Sequence, residues 1–176
     1  MKKRCIMIFP EFRNMDIINS IREKYDPLAN FVRPHITLVF PFESALEKEV
    51  LENHIRLALR GTECFNLKLE EIIKVDNSLG FYLFLSIKEG EEKIKELSSK
   101  LYKGMLSSYK PDWLNNLTFM PHMTIGSFSS KEELNEAYEA VGQVKYNFST
   151  LVEKISVEVI DENEYSIIEM EVPLVK

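Results

Sequence analysis

Histidine and threonine occur in the same short phrase at two distant places in this chain, Pro34-His35-Ile36-Thr37-Leu38 and Pro121-His122-Met123-Thr124-Ile125. Only three histidines occur among the 176 residues, and two of them hold the same position in this phrase. With an ordinary pKa of ~6.5, two imidazoles can divide the work of taking one proton and giving another near neutral pH. Two neighbouring hydroxyls can donate to the non-bridging oxygens of a phosphate and stabilise charge that grows there. Together these groups suit the opening of a cyclic phosphate, in which water loses a proton and a ribose oxygen gains one.

A single His-x-Thr in a strand is ordinarily structural, because both residue types are common on half-buried strands. The second copy selects the site reading. The third histidine, His54, stands beside Asn53 and Arg56 on a charged helix face and reads as a solvated residue. Zinc fits poorly, since two histidines lack a third and fourth ligand at recognisable spacing.

In a strand, alternate side chains share a face, so His35 and Thr37 project together while Ile36 and Leu38 project the other way. The same holds for His122 and Thr124. Before the first motif, Cys5 to Phe9 reads as a buried strand. Ile17, Ile18, Ile21 and Tyr25 form one helical stripe that stops at Asp26-Pro27. Pro41 closes the motif strand, and Ser44-Ala45-Leu46-Glu47 is a capping box for a helix with Leu46, Val50, Leu57 and Ala58 inward, ended by Gly61. Phe65 onward and Phe81 to Ile87 read as a hairpin around Asp76-Asn77-Ser78, followed by a helix from Glu91 to Leu106. Ser107 to Met120, which holds Trp113, reads as a loop. After the second motif, Ser130-Lys131-Glu132-Glu133 opens another capped helix, stopped by Gly142. Ile155 to Ile160 and Tyr165 to Val172 form a last hairpin, with a bulge where the apolar phase slips between Ile167 and Ile168. Motif, capped helix and glycine stop therefore occur twice. The hairpins favour antiparallel pairing, so the fold class is α+β with two quasi-equivalent lobes.

An apolar fraction of 45% supports a folded core. The formal charge of −6 argues against long contacts with a nucleic-acid duplex, while one phosphate needs only a few local donors. No apolar run approaches the roughly 20 residues that span a bilayer, and the run after Lys2-Lys3-Arg4 is too short for a signal-peptide core. Cys5 and Cys64 show neither metal-site spacing nor a disulfide framework, so both thiols are expected free and the cytoplasm is the expected compartment.

The paired motifs resemble those of the 2H phosphoesterase superfamily, which includes 2′-5′ RNA ligase-like proteins and cyclic nucleotide phosphodiesterases. The resemblance extends along the chain through motif spacing, size and order of elements. It implies a single domain over residues 1–176, made of two interleaved, pseudo-symmetric sheet-and-helix lobes around a central groove. It implies His35 and His122 as catalytic residues, Thr37 and Thr124 as phosphate ligands, and neither cofactor nor metal. Phe40 matches the aromatic that often closes the first motif. Many relatives extend the second motif to His-x-Thr-Leu-x-Arg, and this chain has Ser127 at the arginine's place.

The leading function is thus a metal-independent phosphoesterase acting on 2′,3′-cyclic phosphates or 2′-5′ linkages of nucleotides or RNA ends, with ligation as the reverse. The alternatives are a nucleotide-binding module without turnover, made plausible by Ser127, and a protein-interaction domain with an incidental repeat. Arg33, Phe40, Tyr82 and Trp113 are further substrate-binding candidates, with Phe42 and Phe119 as additional aromatics and Lys3 and Arg4 as weaker cations. Aromatics can stack on a base, although at strand spacing most fill cores.

Overall fold

In a computed structural model, which describes residues 1–116, 118–143 and 145–176, eight strands and five helices follow one another. The first half runs β1 (Lys2–Ile8), α1 (Met15–Tyr25), β2 (Ile36–Ser44), α2 (Lys48–Ala58) and β3 (Phe65–Asn77). Next come β4 (Gly80–Glu89), α3 (Glu91–Leu101), a 3-10 helix (Gly104–Tyr109), the short α4 (Trp113–Asn116), β5 (His122–Phe128) and α5 (Lys131–Val141). The chain ends with β6 (Phe148–Val152), β7 (Lys154–Ile160) and β8 (Ser166–Pro173). Strands pair antiparallel throughout, in two four-stranded sheets of order β2-β1-β7-β8 and β5-β4-β3-β6. The α+β reading and both expected hairpins, β3–β4 and β7–β8, are present.

Each motif strand lies at an edge of its sheet, and the helices cross between the sheets. α1 connects two strands of the first sheet yet packs on β5 of the second, while α3 connects two strands of the second and packs on β2 of the first. Motif strands are thereby held by both halves of the chain. Ser98 Oγ donates to the Leu38 carbonyl at 2.7 Å, and the Phe40 N–H donates to the Tyr102 hydroxyl at 2.9 Å, tying β2 to α3 and the turn after it. One continuous apolar cluster joins Ile36 and Leu38 to Met123 and Ile125, all fully buried. Burial of each such side chain contributes about 1.5–3 kcal/mol.

Several local expectations are corrected. Pro41 does not end β2, which continues to Ser44; a proline is tolerated because β2 is an edge strand. Ser44 caps no helix. It is buried at the strand end, where its hydroxyl accepts from Arg4 at 3.3 Å, and α2 begins only after Glu47. The inward stripe of α2 is Leu51 and Ile55, whereas Val50 and Leu57 are exposed. Arg4 is no groove cation: it is 1% exposed and clasps Glu169 through Nε at 2.7 Å and its terminal nitrogen at 3.0 Å. Lys3 is exposed at the start of β1. α3 stops at Leu101, and Gly104 takes the left-handed φ of 62° that turns the chain into the 3-10 helix. His54 is not merely solvated; its Nε2–H donates to the Leu101 carbonyl at 3.0 Å at the end of α3.

Strand β6 has no counterpart in the expected element list. The Ser130 cap does form, with the Glu133 N–H donating to Ser130 Oγ at 3.2 Å, although Glu133 in turn accepts from the Ser129 N–H at 3.0 Å. The bulge in β8 falls at Glu169, between the Val157–Met170 and Glu158–Ile168 pairs, and turns that carboxylate toward Arg4. Among the described residues no helix is long and apolar enough to cross a membrane.

Candidate active site

Both motifs show the same alternation: the proline, the middle apolar residue and the following aliphatic are buried, while histidine and threonine are half-buried. Strands β2 and β5 lie against each other, which brings the two phrases together from opposite sheets. The imidazoles are anchored alike. His35 Nδ1 lies 2.8 Å from the Arg33 carbonyl, and His122 Nδ1 lies 2.7 Å from the Met120 carbonyl, in each case two residues back. A carbonyl only accepts, so Nδ1 carries the hydrogen and Nε2 presents its lone pair in the neutral ring.

The ring planes are also fixed. His122 stacks on Phe84, with centroids 3.6 Å apart and planes 13° from parallel, and Phe84 stacks in turn on Tyr82 at 5.5 Å. The His35 and Phe9 rings meet edge to face, with centroids 6.1 Å apart. Burial pushes the His35 pKa down to about 4; the Arg33 carbonyl opposes this, Arg22 and His122 lower it further, and Asp26 raises it. Burial likewise lowers His122, with the Met120 carbonyl opposing. The charge of His122 is the smallest of these influences on His35.

A cavity of about 250 Å³ opens beside His122. Its walls include Phe40, Tyr82, Trp113 and Phe119, so four of the aromatics named from sequence meet there, joined by Phe84. Trp113 and Phe119 approach Phe40 edge-on at 4.8 and 6.3 Å. The Tyr82 hydroxyl donates to the Leu79 carbonyl at 2.8 Å, which fixes the ring. Phe42 instead fills the core against Tyr109. Arg33 does not line this cavity: it is exposed and lays its guanidinium 4.5 Å from the centroid of Phe9. Ser127 pairs with Tyr82 across β4 and β5, where the extended motif would have carried its cation. Thr124 sits two residues beyond His122 on the same face of β5, while Thr37 lies in β2 two residues beyond His35, which immediately precedes that strand.

Sequence reasoning missed Phe9 and Phe84. The signal for Phe84 was the alternation that places it on the face of Tyr82; nothing local marked Phe9. Among the described residues, no group of three or more His, Cys, Asp or Glu side chains is placed to hold a metal ion.

Two antiparallel sheets that bring paired His-x-Thr strands together define a 2H phosphoesterase fold. The chain belongs to the 2′-5′ RNA ligase superfamily, whose family model matches residues 9–164. A Halalkalibacterium halodurans protein that bears a phosphoesterase name is 31% identical over 158 residues, covering 85% of this chain and 84% of its own. One from Bacillus licheniformis is 32% identical over 136 residues, covering 74% of each. Among solved structures, E. coli LigT complexed with ATP superimposes with a TM-score of 0.66 at 19% identity, over 99% of this chain and 98% of its own. LigT complexed with 3′-AMP gives 0.62 at 14% identity over 99% of each chain. The protein TT0787 of Thermus thermophilus gives 0.67 at 14%, over 98% and 97%. These structural likenesses establish the shared fold.

Proposed function

We propose that the protein is a cyclic phosphodiesterase that opens 2′,3′-cyclic phosphates of nucleotides or RNA ends, without a metal, by acid-base catalysis from its two histidines. The observation that carries this reading is the matched pair of imidazoles, each fixed through Nδ1 to a carbonyl two residues back and each offering Nε2. His35, pushed to about 4, is neutral near pH 7 and takes the role of base toward water. His122 then holds the proton that passes to the departing ribose oxygen. The anionic phosphate favours that imidazolium by placing a negative charge beside it. Thr37 and Thr124 donate to the non-bridging oxygens and keep phosphorus in line between the rings. Microscopic reversibility makes the same groups competent for joining a ribose hydroxyl to a cyclic phosphate.

The aromatic cavity supports a nucleoside beside His122, because every base offers a face on which such rings stack. LigT, which shares the fold, has been solved with ATP and with 3′-AMP, and this supports a nucleotide as the ligand class. The cytoplasm remains the expected compartment. Hydrolysis of 2′,3′-cyclic nucleotides in EDTA tests the proposal. His35→Ala and His122→Ala are each expected to reduce kcat by about 10²–10⁴-fold, and full activity in either variant overturns it.

A second reading, a nucleotide-binding module without turnover, draws on Ser127. Calorimetric binding of a nucleotide with no product over long incubation would favour it.

A further inference from the structure

The site is not one-sided. Two further cavities of about 450 and 380 Å³, which share no lining residue with the aromatic cavity, meet at Asn19 and at Arg33 and Pro34, immediately before His35 in the chain. Arg33 stands at this junction, no more than about 7 Å from His35 at the Cα atoms, since the two are only two positions apart in the chain. Its guanidinium rests on the face of Phe9, whose ring also makes a T-shaped contact with His35. That stacking holds the planar group without consuming its hydrogen-bond donors, which serve phosphate oxygens two at a time. Among the described residues no carboxylate pairs with Arg33.

Arg22, the other arginine of the larger cavity, is committed elsewhere: Nε binds Asp26 at 2.8 Å and a terminal nitrogen binds the Val32 carbonyl at 2.9 Å. Glu23 and Glu11 line the two cavities as well, which leaves Arg33 as their available cation. The larger cavity also carries aromatic surface. Phe31 and Tyr165 stand with ring centroids 5.1 Å apart, Tyr165 is 49% exposed, and the pair is joined by the Ser166 N–H donating to the Phe31 carbonyl at 2.9 Å.

We propose that Arg33 and the Phe31–Tyr165 pair form a second nucleotide subsite, in which Arg33 binds the phosphate next to the reacting one and the aromatic pair receives that nucleotide's base. The preferred substrate is then an oligonucleotide end with nucleotides on both flanks of the histidine pair, rather than a mononucleotide. This rests on the phosphoesterase reading for the central phosphate, while the subsite itself is a statement about binding.

The test compares a dinucleotide 2′,3′-cyclic phosphate with the corresponding mononucleotide, as the ratio of their kcat/KM values. The wild-type protein is expected to favour the dinucleotide. Arg33→Ala lowers that ratio about tenfold, chiefly through KM, as loss of a charge-assisted hydrogen bond does. Arg33→Lys restores part of it, and Tyr165→Ala lowers it independently. A ratio unchanged in Arg33→Ala overturns the proposal, whether the two rates fall together or not at all. If the wild-type protein hydrolyses neither compound, the phosphoesterase reading fails on its own, and calorimetry with the 3′-phosphorylated dinucleotide and mononucleotide decides the subsite. Weaker binding of the dinucleotide alone in Arg33→Ala supports it; equal weakening or none rejects it.

Discussion

Among individual residues, the Arg33 and Met120 carbonyls hold Nδ1 of each histidine and leave Nε2 to face a ligand, and burial lowers the pH at which each ring carries a proton. A lowered pKa means that the ring releases its proton at lower pH. The kcat/KM profile, which reports free protein, is therefore expected to lose activity near pH 4 as His35 becomes protonated, and to decline again from a pH below 6.5 as His122 loses its proton. Bound phosphate favours the imidazolium, so the basic limb of kcat lies at higher pH than that of kcat/KM. Initial rates from pH 3.5 to 8.5 check both limbs; a kcat/KM profile with both limbs above pH 6.5 contradicts the assignment. The same shift bears on stability: the unfolded chain binds the His35 proton first, at ~6.5, so stability is held above that pH and lost as pH falls toward about 4. The histidines and threonines were legible in the sequence because the phrase repeats. Phe9 and Phe84 were not, since each gains its role from a histidine on a neighbouring strand, and an isolated aromatic in an apolar run resembles any core residue.

Among the elements, edge position lets the motif strands meet. An edge strand presents one side to its own sheet and leaves the other free to approach its counterpart, while α1 and α3 hold it from the opposite half of the chain. The four-residue α4 carries Trp113 over Phe40 at the mouth of the aromatic cavity. Trp113→Ala is expected to raise KM for nucleotide substrates about tenfold, matching about 1–3 kcal/mol of stacking, with a smaller effect on kcat. Steady-state kinetics separates the two. Met123, fully buried between His122 and Thr124, works through position: Met123→Ala should cost about 2–5 kcal/mol of stability, read as a lower urea midpoint. Strong periodicity made most elements legible. Ser44 misled because a capping-box sequence can equally end a strand when a buried arginine claims the serine hydroxyl. β6 was missed because only Phe148 and Val152 of its five residues are buried, too few to show a period.

Across the whole molecule, the two sheets exchange parts. β3 follows the first motif unit in sequence but lies in the second sheet, between β4 and β6, while β7 and β8 complete the first. Local patterning announces hairpins, not which sheet a distant strand joins, so duplication was legible and exchange was not. One long-range tie closes the first sheet: Arg4 from the start of the chain clasps Glu169 near its end, both side chains at most 8% exposed. Glu169→Ala leaves that guanidinium buried without its partner and is expected to cost about 3–5 kcal/mol, measured by chemical denaturation. Arg4 and, secondarily, Lys2 hold the Glu169 carboxyl below its usual pKa, so its contribution is present near neutral pH and fades as the group protonates in acid. In the proposed reaction the joined halves keep two imidazoles on either side of one phosphate. Following a 2′,3′-cyclic nucleotide by phosphorus NMR in EDTA, with wild-type protein and with the His35→Ala/His122→Ala double variant, tests this role. The wild-type protein is expected to convert the cyclic resonance to a single monoester and the variant to convert none above background; equal conversion by both, or none by either, refutes it.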